Sequence, residues 1–212
     1  MNPKTKKKLL GHLQYCWWMY IGIALAAVFL WTSVFLNLAK PASNERIGLF
    51  LCTNAVDTTG LEKDISDILE GLTEQEIKQF RVNQMLLSEA DVGSVLTARS
   101  FDCDLIFIQQ SFLREGMAVY HFAPLPMEQI GELLPNHQFY SDKLENVQNT
   151  YGILIGGKGV HNRFTQYYTG EEAVYVFLSR ESVNLGGLNE KGYPEDDAAL
   201  RLLLYLLEET NG

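Results

Sequence analysis

The sequence predicts an α/β protein held at a membrane: one N-terminal transmembrane helix, then a single domain built on a mainly parallel sheet. Three observations predict it. Residues 17–38 form an apolar run without a single charge. Lys4, Lys6, Lys7 and Lys8 stand just before that run. Between residues 46 and 109, short apolar runs then alternate with amphipathic stretches, the pattern of β-α-β units.

A helix of about 20 apolar residues crosses the roughly 30 Å hydrocarbon core of a bilayer. Short basic flanks stay in the cytoplasm, so the N-terminus lies inside and the remainder outside. Tyr15, Trp17, Trp18 and Tyr20 cluster at the inner end, where an interfacial aromatic belt belongs. A cleaved signal peptide has an apolar core of about 7–15 residues and a small-x-small site; this run is longer, and Asn37-Leu38-Ala39 is a poor site. A lipoprotein cysteine follows the apolar run, whereas Cys16 precedes it. Buried helices of soluble proteins seldom run so long without a polar face. The expected layout is a cytoplasmic basic tail over 1–14, a retained signal anchor over 15–39, a linker over 40–45 and an extracytoplasmic domain over 46–212. The protein is expected to be a single-pass protein of the cell membrane, with the lipid bilayer as its partner through residues 15–39.

All 26 acidic residues lie beyond the run, while four of the 17 Lys and Arg precede it. The outer part therefore carries about twice as many acidic as basic groups. Such a surface repels nucleic acid and anionic headgroups. Glu195-Asp196-Asp197 suits the positive end of a helix dipole.

Arg46 to Thr53 reads as a buried strand followed by turn residues. Leu61, Ile65, Ile68, Leu69 and Leu72 fall on one face of a helix, and Thr59 and Glu62 have capping-box spacing. Gln79 to Leu87 is strand-like. Ser88 to Asp91 opens a second helix with Val92, Val95 and Leu96 on one side. Asp104 to Gln109 is the clearest strand. This order implies parallel strands joined by crossovers.

Only Cys52 and Cys103 lie beyond the anchor. Parallel neighbours would place them at opposite edges of the sheet, several residues apart at about 3.3 Å each, beyond the Cα limit of about 7 Å for a disulfide. Two free, buried thiols are expected. His121, His137 and His161 are dispersed, with no metal-ligand spacing, and no cofactor is expected.

The second half begins with an extended approach over Ala118–Pro126 and a short helix over Met127–Leu134. A loop starts at Phe139-Tyr140 and ends in a strand over Tyr151–Ile155. The turn Gly156–Gly159 follows, then a strand over Ala173–Leu178. A leucine-rich helix opened by Pro194 and Glu195 runs to about Glu209.

Several of these pieces carry a family pattern. They are the Asp-initiated strand from Asp104, then Phe122-Ala-Pro-Leu-Pro-Met-Glu-Gln-Ile130, Tyr151-Gly-Ile-Leu154, and the stretch Val176 to Leu188 ending in Gly186-Gly187-Leu188. In this order the chain resembles the first portion of the extracellular solute-binding proteins of ABC importers. The resemblance spans most of residues 46–205. It implies a truncated periplasmic-binding-protein-like domain in a membrane-anchored form, because members of that family carry two full lobes.

In open α/β sheets ligands sit beyond the carboxyl ends of strands. Those ends are Thr53 and Asn54 after the first strand and Gln109, Gln110 and Ser111 after the third. Their amides and hydroxyls suit a polar solute, and turn and cap chemistry explains the same residues equally well. Tyr120, Tyr140, Tyr167 and Tyr168 offer flat faces for a sugar ring, although aromatic area is usually spent on packing. Gly156-Gly157-Lys158-Gly159 lacks the P-loop spacing. No nucleophile elbow occurs, and nothing in the spacing of Ser, His and acid residues predicts a triad, so no enzyme is expected. Two functional expectations follow. The first is a tethered binding module for a small polar solute, a sugar or peptide, or an accessory to an ABC importer, partnered by a membrane transporter or other membrane protein. The second is a structural or regulatory ectodomain that contacts a partner protein and binds no solute.

Overall fold

The computed structural model describes residues 3–38, 40–72, 76–85, 92–99, 102–188 and 197–210. Contacts divide the chain into two units, Met1–Lys40 and Pro41–Gly212. The first is one helix, α1 (Pro3–Leu38). Its stretch Tyr15–Phe35 is long and apolar enough to cross a membrane, and no residue of its most apolar window is buried. A signal sequence near the N-terminus also meets this criterion of length and apolarity.

The second unit is a six-stranded sheet with helices on both faces. Its elements are β1 (Arg46–Cys52), α2 (Thr58–Leu72), β2 (Gln79–Gln84), α3 (Val92–Arg99), β3 (Leu105–Gln109), α4 (Met117–His121), α5 (Met127–Leu133), β4 (Phe139–Leu144), β5 (Val147–Gly156), β6 (Val174–Leu178) and α6 (Ala198–Leu207). The strand order is β2-β1-β3-β6-β5-β4.

The expected β-α-β-α-β series forms as read: β1 is parallel to both β2 and β3. The expectation of a mainly parallel sheet is corrected. β6 lies antiparallel to β3, β5 to β6, and β4 to β5. The physical reason is the β4–β5 hairpin, which needs no crossover. Phe139–Leu144 reads as a loop because Ser141, Asp142 and Lys143 interrupt its apolar residues; it is an edge strand, where polar residues are at home. Its two-residue turn holds Glu145 at φ 52°, as primed hairpin turns require. The extended approach is corrected in part too, since Met117–His121 is helical. The expected helix opening at Ser88–Asp91, the strand residues beyond Met85 and the last helix's start at Pro194–Asp196 lie outside the described residues.

Alternation along each strand sorts the core into two layers. Ile47, Leu49 and Leu51 of β1 join Leu105, Phe107, Ile153 and Val176 under α2 and α6. Phe50 and Cys52 join Ile106, Ile108, Tyr151 and Phe177 under α3 and α4. Helix α6 buries Ala198, Ala199, Leu202, Leu203, Leu206 and Leu207, so its leucine-rich sequence completes one layer. Register sets Cys52 against Ile108, while Cys103 lies beside Gly48 at the other end of β1. Both cysteines are buried and neither forms a disulfide, and burial pushes the Cys52 thiol up to about 12.

Candidate functional site

Sheet polarity brings six strand termini to one end of the domain: the carboxyl ends of β1, β2, β3 and β5 and the amino ends of β6 and β4. The sequence-predicted site lies there, and the protein's own chain covers it. The segment after β5 crosses the ends of β1 and β3. Val56 bridges Tyr168, Asp57 N–H donates to Tyr167 O, Thr169 N–H to Ala55 O, and Gln110 N–H to Ala173 O.

Glu172 anchors this cover. Its carboxylate accepts from Ser111 N at 2.6 Å and Gln109 Nε2 at 3.3 Å. Tyr168, buried, donates its hydroxyl to the Glu172 carbonyl at 2.9 Å. The side chains of Gln109 and Thr53 face that hydroxyl, and burial raises the phenol pKa above its ordinary value. Thr53 is fully buried, and its carbonyl accepts from Gln84 Nε2 at 2.7 Å. Asn54 is exposed and stands apart from these bonds; Gln110 and Ser111 are also exposed. Thr53, Gln109 and Ser111 are therefore brought together, around Tyr168 and Glu172 rather than around an open cleft. The sequence offers Tyr168 as a flat face for a sugar ring or as packing area and gives Glu172 no role. No local signal links Glu172 to Ser111, 61 residues away.

An open groove of about 320 Å³ lies at the same end of the sheet, beside β4 and β5 rather than β1 and β3. Asn136, His137 and Gln138 form one wall, and Gly159, His161 and Asn162 the other. Gly157 and Gly159 hold φ at 125° and 81°, which glycine adopts freely and which lets the loop turn tightly after β5. Asn162 fixes the far end: its side chain donates to Ile155 O at 2.9 Å and accepts from Thr165 N at 3.2 Å. His137 Nδ1 is sealed from water and takes no hydrogen bond from the described residues. A second hollow of about 440 Å³ shares Asn136, His137 and Glu209 with this groove and is floored by leucines of α5 and α6.

Two buried carboxylates hold the domain together elsewhere. Asp104, at the opposite end of the sheet, accepts from Gly48 N at 2.8 Å, Ser182 Oγ at 2.5 Å and Asn184 Nδ2 at 3.0 Å. Desolvation raises its pKa, and the three donors and Arg46 oppose that rise. Asn184 also donates to Arg46 O at 2.8 Å, tying the loop after β6 to the start of β1. Asp142 on β4 accepts from Gly116 N and Ala118 N, each at 2.9 Å, and so satisfies the open amides at the start of α4. The Ser182 proton is directed at a carboxylate rather than at an imidazole, unlike the nucleophile of a Ser-His-acid triad. Among the described residues no three His, Cys, Asp or Glu side chains gather as metal ligands. His121, half-buried beside Arg180, has its pKa lowered by burial and by that cation.

Comparison with protein-family models, with curated proteins and with solved structures returns no match to this chain.

Proposed function

We propose that this chain is a membrane-tethered ectodomain that acts by contacting a partner protein and binds no solute at its strand ends. Residues 15–39 anchor it, the basic N-terminus stays in the cytoplasm, and residues 46–212 stand outside. One observation carries this reading: Tyr168 and Glu172 occupy the position beyond β1 and β3 where an α/β sheet would receive a ligand. Two of the groups expected to greet a solute, the Gln109 amide and the Ser111 N–H, are turned to the Glu172 carboxylate, while the buried Thr53 hydroxyl takes no hydrogen bond from the described residues and Asn54 stays exposed.

A solute-binding reading keeps one observation in its favour. The groove beside β5 presents Asn136, Gln138 and Asn162 at the same end of the sheet. A thermal-shift panel of sugars and short peptides against the full chain in detergent separates the two. The partner reading expects no saturable shift. A shift abolished by Gln109→Ala would restore the solute site at the strand ends. A shift abolished by Asn136→Ala would move it to the groove.

A further inference from the structure

We infer that the leucine-floored hollow between α5 and α6 docks a segment of the partner protein in which a lysine or arginine stands next to a leucine-like side chain. The inference rests on the partner-contact reading above and names where that contact is made. The hollow holds about 440 Å³, within the range of sites that take a compact ligand. Leu134, Leu204 and Leu207 line it, and Leu133 stands at its edge with 59% of its surface exposed. That exposure is high for a leucine beside a hollow already apolar, and it leaves a contact face to be covered.

The charge of the rim selects the occupant. The hollow opens at the carboxyl end of α6, where the helix dipole is negative. This helix has no basic residue in its last turn. Glu208 and Glu209 follow it and line the hollow. Arg163 binds Glu208, with Nη2 at 2.8 Å, while Glu209 makes no ion pair among the described residues. Helix end and carboxylate therefore add to a negative rim around an apolar floor, complementary to a cation beside an aliphatic group. The adjoining groove, with Asn136 and Gln138, offers hydrogen-bonding groups to the backbone of the same segment.

The test uses the full chain in phosphatidylcholine nanodiscs and fluorescein-labelled octapeptides. One peptide carries two leucines and three lysines; its control carries two leucines and three glutamates. The expected result is saturable anisotropy with the lysine peptide and none on empty discs. Leu133→Asp and Glu209→Lys, both at exposed positions, should each weaken binding about tenfold or more, as loss of an interface anchor does. Equal affinity for the two peptides, no binding, or variants that bind as wild type would overturn the assignment. A benzophenone residue placed at Leu133 or, as a distant control, at exposed Tyr120 separates this failure from failure of the reading itself. In intact cells, an adduct at Leu133 whose partner peptide carries a Lys-Leu or Arg-Leu pair supports the hollow. An adduct at Tyr120 alone overturns the hollow and keeps the partner, and no adduct at either position overturns both.

Discussion

Gly48→Ala is the sharpest test of how the two parallel strands meet. A Cβ at this position would lie 2.5 Å from the backbone oxygen of Asp102 and 3.2 Å from the Cα of Cys103. Both are main-chain atoms, so no side chain can rotate away. Two hydrogen bonds pin the strands at the same level: Asp104 N–H donates to Gly48 O at 2.8 Å, and Gly48 N–H donates to the Asp104 carboxylate at 2.8 Å. Relieving the overlap must stretch both. Overpacking costs about 1–3 kcal/mol, and weakening a bond to a buried carboxylate adds about 1–2 kcal/mol. The reduced freedom of the unfolded alanine chain returns about 0.5 kcal/mol. The net loss is about 3 kcal/mol, which lowers Tm by roughly 6–12 °C for a domain of this size. The assay is thermal unfolding of the full chain in mild detergent, followed by circular dichroism. Gly131→Ala is the control, because its Cβ meets only Met127 Cε at 3.9 Å; it should be neutral or raise Tm. A Gly48→Ala protein melting within about 2 °C of wild type would refute the close approach.

Three further outcomes follow from the carboxylates and thiols. Asp104 titrates higher in the fold than in the unfolded chain because burial opposes its charge. Its stabilising contribution is therefore complete below the unfolded value of about 4 and is lost as pH rises through the folded value; the Tm advantage of wild type over Asp104→Asn should shrink from acid to neutral pH, and a widening gap would contradict the sign. Glu172→Ala removes the acceptor for Ser111 N–H and Gln109. It should cost about 1–2 kcal/mol, read as a urea midpoint shift, and an unchanged midpoint would show that the cover is not held there. Cys52, fully buried with its thiol pushed up to about 12, should resist iodoacetamide at pH 8 until denaturant is added, and rapid alkylation of the folded protein would contradict its burial.

The parallel half of the sheet was legible because β1 and β3 are continuous apolar runs and helix α2 repeats its apolar residues at about 3.6. Ile47 to Cys52 and Leu105 to Ile108 are buried on both faces, and Val174 to Leu178 comes close to the same pattern. The antiparallel half was harder. β4 shows Ser141, Asp142 and Lys143, and the one that is buried, Asp142, is held by backbone amides more than twenty residues earlier. A polar residue kept inside by a distant partner leaves no local pattern. The strand-end residues were found by the general polarity of α/β sheets, and three of them do converge. Their cover could not be read, because Glu172 and Tyr168 reach the site only after β5 has crossed the sheet. The groove at His137 and Asn162 went unread for the same reason: its walls come from separate loops that sequence spacing does not relate.

The location of the domain supports everything proposed for it, and one labelling measurement reaches it directly. Tyr120, 64% exposed, is replaced by cysteine in a Cys16→Ser background, and intact cells are treated with a membrane-impermeant polyethylene-glycol maleimide. The expected result is a full-length, membrane-pelleted band shifted by the label before any permeabilisation. A band labelled only after the cells are opened, or a labelled protein that begins past residue 39, would contradict an uncleaved anchor holding the domain outside.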